Sequence, residues 1–479
     1  MNIIENIEDV KNLIKNNNYK IFGVGGLPFT RSEAYYFVED LELICSNKTG
    51  EFEAVKEKIK LSFFSMPTDV QSKKPENILS QNKVADHIRK SSSKKKVAIY
   101  TMRPSKRKKD ICKENNWTLA STPLSLFEKY SNKINFYKLL ERCGLDRNIV
   151  CIKYGDLNKK KKDLFREKKI VIQVLEEEGG GKGTFFFDYS QINQMETRIK
   201  ERLPEIDKDS ELVVSDFCEG PVLSITACVT GKEGVLVLNP QFQLIDIKEV
   251  IKEKNNAQGV FCGHDWGLAK SLPGYLIEDS REMAEKIGNL LRKEGYKGIF
   301  GIDFIWDQKS DKIIPVEMNP RILGTFPTQV QLQVQNKEVP LAAFHLLECL
   351  DIEYSIKDRK ACEGREGYKG SHLLLFNFLG KDIIFNKSLR AGVYKIEKEG
   401  KLCFLRSGFE LSDIVNSKEE FILTDGVPVE GWFVKKNKKL LKIMAKRSIS
   451  TEKGKKLNHW GERVVLAVQE HIKEAATPI

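Results

Sequence analysis

The sequence predicts an α/β amino-terminal domain followed by two α+β modules. Three observations carry this reading: short apolar runs alternating with polar stretches over residues 1–130, a strand-dominated region over 131–350, and a smaller, hairpin-rich region over 351–479. The chain has 479 residues, 41% of them hydrophobic, which is enough for several cores; at ~150 residues per domain about three domains are expected. Charged residues, 30% of the total, are interleaved with the apolar segments, which excludes a largely disordered chain.

In the first region the runs YKIFGVGG, LELIC, KLSFF and KKVAIYT read as strands. Between them ENILSQNKVADHIRK reads as a crossover helix, with Ile78, Val84, Ala85 and Ile88 on one side. Gly23, Gly25 and Gly26 lack the third glycine of a dinucleotide fingerprint and Pro28 follows closely, so an ordinary strand-to-loop turn is expected there. In the second region Ser131 is placed to cap a helix running to about Cys143, with Gly144 as its stop. Strands KIVIQVL, ELVVSDF, VLSITACV and GVLVLN follow, then a helix near Asp279–Glu294 and the strands GIFGIDFIW and KIIPVEMN; short separations favour antiparallel pairing. The third region carries HLLLFNF, the hairpin VYKIEKEGKLCFLR, a basic run over 435–447 and a helix over roughly 455–473.

Lys and Arg number 79 against 67 Asp and Glu, a formal charge of +12, which permits an acidic partner without naming one. The basic run contains Leu440, Leu441, Ile443 and Met444, which suggests a packed element with a solvated basic face; with no RNA or DNA module beside it, nucleic acid is not the expected partner. KYGDLNKKKKDLFREKK is expected to be a solvated connection. No apolar run approaches the ~18 residues of a membrane-spanning helix and no signal core is present, so the expected location is cytoplasmic. Ten scattered cysteines without CxxC or zinc-like spacing predict reduced, mostly buried thiols.

The richest segment chemically is GIFGIDFIWDQKSDKIIPVEMNPR. Alternation places Phe300, Ile302, Phe304 and Trp306 on one strand face and Asp303 on the other. In the next strand Ile314, Val316 and Met318 are expected to share one face, with Glu317 and Asn319 opposite. A turn near Ser310 sets Asp303 across from Glu317. Two carboxylates ~5 Å apart on adjacent strands repel, and a hard divalent cation would neutralise them: magnesium takes one or two carboxylates, an amide oxygen and phosphate oxygens. Asp303, Glu317 and Asn319 supply that set, and Arg321 brings a fixed positive charge to the same edge. A second feature, EEEGGGKGTFFF, has Gly179, Gly180, Gly181, Gly183 and Lys182 in a turn able to wrap phosphate oxygens, although it is not a P-loop. In GVFCGHDWG, His264 is expected to be a loop histidine satisfied by a neighbouring carboxylate, and Cys262 a buried thiol.

The succession SNKINFYKLLERCGL, IVIQVLEEEGGGKGTFFF, ELVVSDFCEGPVLSITACV, GYKGIFGIDF and IIPVEMNPR resembles the ATP-grasp superfamily of carboxylate–amine ligases over about 130–350, and residues 1–130 resemble its pre-ATP-grasp domain. The resemblance implies a two-subdomain core holding ATP, with Mg2+ on Asp303, Glu317 and Asn319. It implies nucleotide contacts from Lys133, from Gly180, Gly181, Lys182 and Gly183, and from the adenine linker at Phe217 and Cys218, with Arg321 and Lys182 at the transferred phosphate. Gln173 stands where many members carry a strand lysine, and Ser215–Asp216 where Glu-Lys is common. The implied reaction joins a small-molecule or peptide carboxylate to an amine through an acyl phosphate, releasing ADP and phosphate. The arrangement of three regions resembles pheganomycin-type peptide ligases. A homodimer is compatible with the family, as is a non-catalytic ATP-binding regulatory or scaffold protein of the same fold.

Overall fold

In the computed structural model the protein is described over residues 2–66, 74–145, 149–165, 169–175, 183–251 and 259–479. The amino-terminal sheet is parallel throughout. Its strands β1 (Tyr19–Val24), β2 (Leu41–Cys45), β3 (Lys60–Phe63), β4 (Lys96–Tyr100) and β5 (Thr118–Ala120) lie in the order 3-2-1-4-5. Helices cover both faces, which explains why β1 and β2 are apolar almost without interruption. The expected crossover helix is two, Pro75–Leu79 and Asn82–Ser92, but Ile78, Val84, Ala85 and Ile88 are buried together as the pattern required.

Helix α1 (Lys133–Arg142) opens the central region. Its cap is Asn132, whose side chain accepts from the Asn135 amide, rather than Ser131, which ends the preceding helix Leu124–Ser131. Gly144 follows the helix at φ +69°, the left-handed turn expected of its stop. A four-stranded antiparallel sheet comes next, with β6 (Ile149–Lys153), β7 (Lys169–Val174), β8 (Thr184–Asp188) and β9 (Glu211–Asp216) in the order 6-9-7-8. The Lys-rich stretch after β6 is a helix, Leu157–Leu164, which buries its two terminal leucines against this sheet.

The largest sheet has eleven strands. It comprises β10 (Val222–Val229), β11 (Val235–Val237), β12 (Gln241–Ile245), β13 (Phe261–Asp265), β14 (Gly298–Asp307), β15 (Lys312–Asn319), β16 (Ser371–Phe376), β17 (Gly392–Ile396), β18 (Leu402–Arg406), β19 (Phe421–Thr424) and β20 (Lys439–Ala445). Their order is 15-14-10-12-13-16-20-19-17-18, with β11 paired to β10. The seam is β13 against β16, so the sheet runs without a break from the central region into the carboxyl-terminal one. Helix α2 (Gly274–Lys293) covers one face of β10 and β11, and the buried helices α3 (Phe326–Gln335) and α4 (Leu341–Cys349) lie on the opposite face, with α4 against β14. The chain closes with α5 (His459–Ala475), whose Val464, Val468 and Ile472 are buried.

The basic run 435–447 is mainly strand β20, and Lys442 within it is 2% exposed, ion-paired to Asp425 at 2.9 Å. Its basic face is therefore not wholly solvated: β20 is buried on both faces, and the Asp425 carboxylate neutralises Lys442. All ten cysteines are free; half are buried and Cys151 is exposed. Among the described residues no helix is long and apolar enough to cross a membrane.

Candidate nucleotide and metal site

Strands β14 and β15 form the expected hairpin, with Asp303 directly opposite Glu317 and Gly301 opposite Asn319. Phe300, Ile302, Phe304 and Trp306 are buried in the core under α2, so Asp303 projects from the other face. In β15 the inward residues differ from expectation. Ile313, Pro315 and Met318 are buried while Ile314 and Val316 are not, because the register shifts between the Phe304–Pro315 and Asp303–Glu317 pairs. Val316 is the extra residue of a bulge, and a one-residue insertion swaps the faces on its two sides.

The Asp303 carboxylate is held from three directions. Ser224 Oγ on β10 donates to Oδ1 at 2.7 Å, Gln243 Nε2 on β12 donates to the same oxygen at 2.5 Å, and Asn319 Nδ2 lies 3.3 Å from Oδ2. Arg321 Nη2 donates to Asn319 Oδ1 at 3.0 Å and Nη1 to the Ile322 carbonyl at 3.2 Å. Burial and the facing Glu317 push the Asp303 carboxyl up to about 7, against the Ser224 hydrogen bond and the charges of Arg321 and Lys133. Glu317 is exposed, and its carboxylate has no hydrogen bond or ion pair among the described residues. Among those residues the chain has therefore brought two carboxylates together without a cation bonded to both. That is the condition a divalent ion would relieve, and the donor set of two carboxylates and one amide suits magnesium.

Lys133 is the first residue of α1, half-buried, and its charge reaches Asp303. Gln173 is half-buried on β7, with Nε2 3.5 Å from Thr184 Oγ1 on β8. Gly183 is buried at the start of β8, where its carbonyl accepts from the Val174 amide. Gly179, Gly180, Gly181 and Lys182 lie outside the described residues.

Beside Asp303, reached across Gln243, is a cavity of about 600 Å3. Its floor is Val222, Gln243 and Ile305 of the large sheet and its roof is Lys169, Phe186 and Phe187 of the small one. The linker from Phe217 to Pro221 closes one side. The Phe217 amide donates to the Lys169 carbonyl, and the Phe217 ring meets Phe186 edge-on at 5.7 Å. The linker is pinned to β14 by two backbone hydrogen bonds, Trp306 N to Pro221 O and Gln308 N to Glu219 O. At Gly220 a Cβ would sit 1.8 Å from the Trp306 carbonyl oxygen, so only glycine fits.

The fourth wall went unseen in the sequence. Lys453, Gly454 and Lys455, from the turn before α5, line the same cavity, and Lys453 Nζ sits 3.8 Å from the centre of the Trp306 ring. The signal available was the turn-forming EKGKK, which gives no hint of what it faces. His264 also departs from expectation: it lies on β13 rather than in a loop, 3% exposed, and Asp265 does not satisfy it. Asp265 instead accepts from Ser448, Ile449, Ser450 and Leu268. Cys262 is buried as expected.

Residues 130–325 match the family model described as the ATP-grasp domain. No curated protein sequence matches the chain. Among solved structures, the biotin carboxylase domain dimer of Hydrogenobacter thermophilus 2-oxoglutarate carboxylase, in complex with MgADP, ADP and bicarbonate, is similar with a TM-score of 0.56 and 13% identity, covering 90% of this chain and 86% of that one. Phosphoribosylamine–glycine ligase from Thermotoga maritima gives 0.54 and 13% over 96% and 97% of the two chains. N5-carboxyaminoimidazole synthase from Aspergillus clavatus, in complex with ADP and 5-aminoimidazole ribonucleotide, gives 0.53 and 12% over 95% and 100%. At these identities the likeness is one of fold, and it extends over nearly the whole chain. The paired carboxylates, and most of the cavity lining apart from Lys453, Gly454 and Lys455, thus lie within the segment that matches this family model.

Proposed function

We propose that this protein is an ATP- and Mg2+-dependent carboxylate–amine ligase that forms an amide bond through an acyl phosphate. The observation that carries the proposal is the facing pair Asp303 and Glu317, with Asn319, Lys133 and Arg321 gathered around it at the edge of a cavity of about 600 Å3. Ile305, Phe186 and the backbone of Phe217 and Cys218 line that cavity and would hold adenine, leaving the phosphates on the side of Asp303. Magnesium, held by Asp303, Glu317 and Asn319, would supply charge neutralisation for the terminal phosphates.

A substrate carboxylate oxygen attacks the γ-phosphorus, the bond to the β-phosphate oxygen breaks, and ADP leaves. The amine nitrogen then attacks the acyl carbon, phosphate departs, and the amine loses a proton. Arg321, anchored by Asn319 and the Ile322 carbonyl, and Lys133 offset the charge that gathers in the first step. Lys182 and the neighbouring glycines are assigned to covering the phosphates and excluding water from the acyl phosphate. Within the ligases we assign a peptide-forming activity, from the resemblance of the three-region arrangement to pheganomycin-type peptide ligases, in a cytoplasmic setting.

The test is ADP release over a matrix of carboxylate and amine pairs, with mass analysis of products. Turnover at the wild-type rate in Glu317→Ala would defeat the metal assignment. A second reading, a nucleotide-binding regulatory protein with little turnover, is favoured by the uncharged Gln173 and by Ser215–Asp216 in place of a Glu-Lys pair. Calorimetry showing magnesium-dependent ATP binding, with no product from any pair, would select it.

A further inference from the structure

Strands β12 and β14 both pair with β10, which lies between them. The hydrogen bond from Gln243 on β12 to Asp303 on β14, 2.5 Å long, therefore crosses β10. Register fixes its route: Asp303 is opposite Ser224 of β10, while Gln243 is opposite Val222, two residues along and on the same face. Two strand spacings, roughly 10 Å, separate the backbones of β12 and β14, so the Gln243 side chain is drawn out over β10. It lies along the cavity floor, from the apolar row of Ile305 and Val222 to the row that bears the carboxylates.

The amide at its end has one workable orientation. Turned over, it would set its oxygen against the Asp303 carboxylate, acceptor against acceptor, so Nε2 stays on Asp303 and Oε1 points elsewhere. Two consequences follow from that orientation. Asp303 Oδ1 accepts from both Ser224 and Gln243, which leaves Oδ2, with its longer 3.3 Å contact to Asn319, as the oxygen open to a cation. Gln243 Oε1 accepts no hydrogen bond among the described residues, although the residue is half-buried and lines the cavity. A carbonyl oxygen held in that way is a preformed acceptor awaiting a donor.

The position of Gln243 selects the donor. With the base at the end lined by Ile305, Phe186 and the linker, and the terminal phosphates at Asp303, Gln243 runs between the two ends. The part of a nucleotide above it is the part that joins base to phosphates. Phosphate oxygens carry no donor at neutral pH, whereas the sugar carries hydroxyls, which donate to a carbonyl oxygen.

We propose that Gln243 reads the ribose of the bound nucleotide: Oε1 accepts from a sugar hydroxyl while Nε2 holds Asp303, so one side chain ties sugar recognition to the placing of a metal-binding carboxylate. The assignment rests on the nucleotide placement of the ligase reading.

The test is calorimetric titration of the full-length protein with ADP, 2′-deoxy-ADP and 3′-deoxy-ADP, each with and without Mg2+, and it needs no turnover. Loss of one neutral hydrogen bond corresponds to about fivefold in affinity, so at least one deoxy nucleotide is expected to bind about fivefold more weakly than ADP. Gln243→Met, similar in shape but without either polar atom, should bring the three nucleotides within twofold of one another and reduce the affinity gained from Mg2+. Ser224→Ala, which removes only the other donor to Asp303, should reduce the magnesium gain and keep the sugar preference. Equal wild-type affinity for the three nucleotides overturns the proposal, as does a sugar preference or an undiminished magnesium gain in Gln243→Met; magnesium-dependent ADP binding, and the ligase reading with it, would survive each of these results. Sugar-selective binding with no ADP released from ATP for any carboxylate and amine pair supports the role of Gln243 and defeats the ligase reading. Absence of ADP binding at any magnesium concentration overturns both.

Discussion

Glu317→Gln isolates the consequence of setting two carboxylates face to face. Opposed side chains on paired strands lie about 5 Å apart, and at an effective dielectric of 20 two unit charges at that distance repel by about 3 kcal/mol. Glu317 is exposed, so water screens part of this and ~1–2 kcal/mol is the working figure. Without a cation the substitution should therefore leave the protein as stable as before or slightly more so, because the amide keeps the shape and removes the repulsion. With MgADP the sign reverses. A ligand at one hundred times its dissociation constant stabilises by about 2.7 kcal/mol, and the magnesium-dependent part of that gain should vanish when one of the two carboxylates is lost. Thermal unfolding monitored with ADP, with and without Mg2+, reads both effects in one experiment. A Glu317→Gln protein that keeps the full magnesium-dependent shift, or that is much less stable than wild type without ligand, refutes the argument.

Three further outcomes are expected. Gly220→Ala forces a Cβ against the Trp306 carbonyl 1.8 Å away, so the linker must lift from β14; nucleotide affinity should fall about tenfold, ~1.4 kcal/mol, by calorimetry. Replacing Lys453 and Lys455 with methionine removes two charges from the cavity wall and should weaken ATP binding about tenfold while flattening its salt dependence; unchanged affinity would place the nucleotide elsewhere. Glu42 is buried in β2, which alone would raise its pKa, but hydrogen bonds from Lys60, Ser91, His87 and Ser62 bring it down to about 2. Because the folded value lies below the ordinary 4.5, its contribution of about 3 kcal/mol is present above pH 4.5 and is lost as pH falls toward 2; in Glu42→Gln that segment of the stability profile should flatten.

The hairpin carrying Asp303, Glu317 and Asn319 was legible because Phe300, Ile302, Phe304 and Trp306 recur at every second position and leave Asp303 on the other face. The bulge at Val316 was not, since nothing in KIIPVEMN marks an inserted residue and the shift arises only when the strand pairs with β14. Strands β12 and β13 escaped for a related reason. Gln241 and His264 read as surface residues, yet they are buried on the side of the sheet covered by a helix, Phe326–Gln335, which itself buries Gln329, Gln331 and Gln333. Hydrophobic periodicity fails where both packed surfaces are polar. At Gly263 the backbone adopts φ +151°, and a Cβ would stand 2.1 Å from the His372 carbonyl, so the glycine marks the close approach of β13 and β16 that locks His264 in place.

Because β13 hands its hydrogen bonds directly to β16, the last quarter of the chain is not an appendage. A polypeptide stopped near residue 350 would present a naked row of amides and carbonyls along β13, inviting another copy to dock strand to strand. The expected product of such a deletion is insoluble aggregate rather than a smaller working unit, and trimming for crystallisation or for fusion to a reporter should begin at the terminal residues instead.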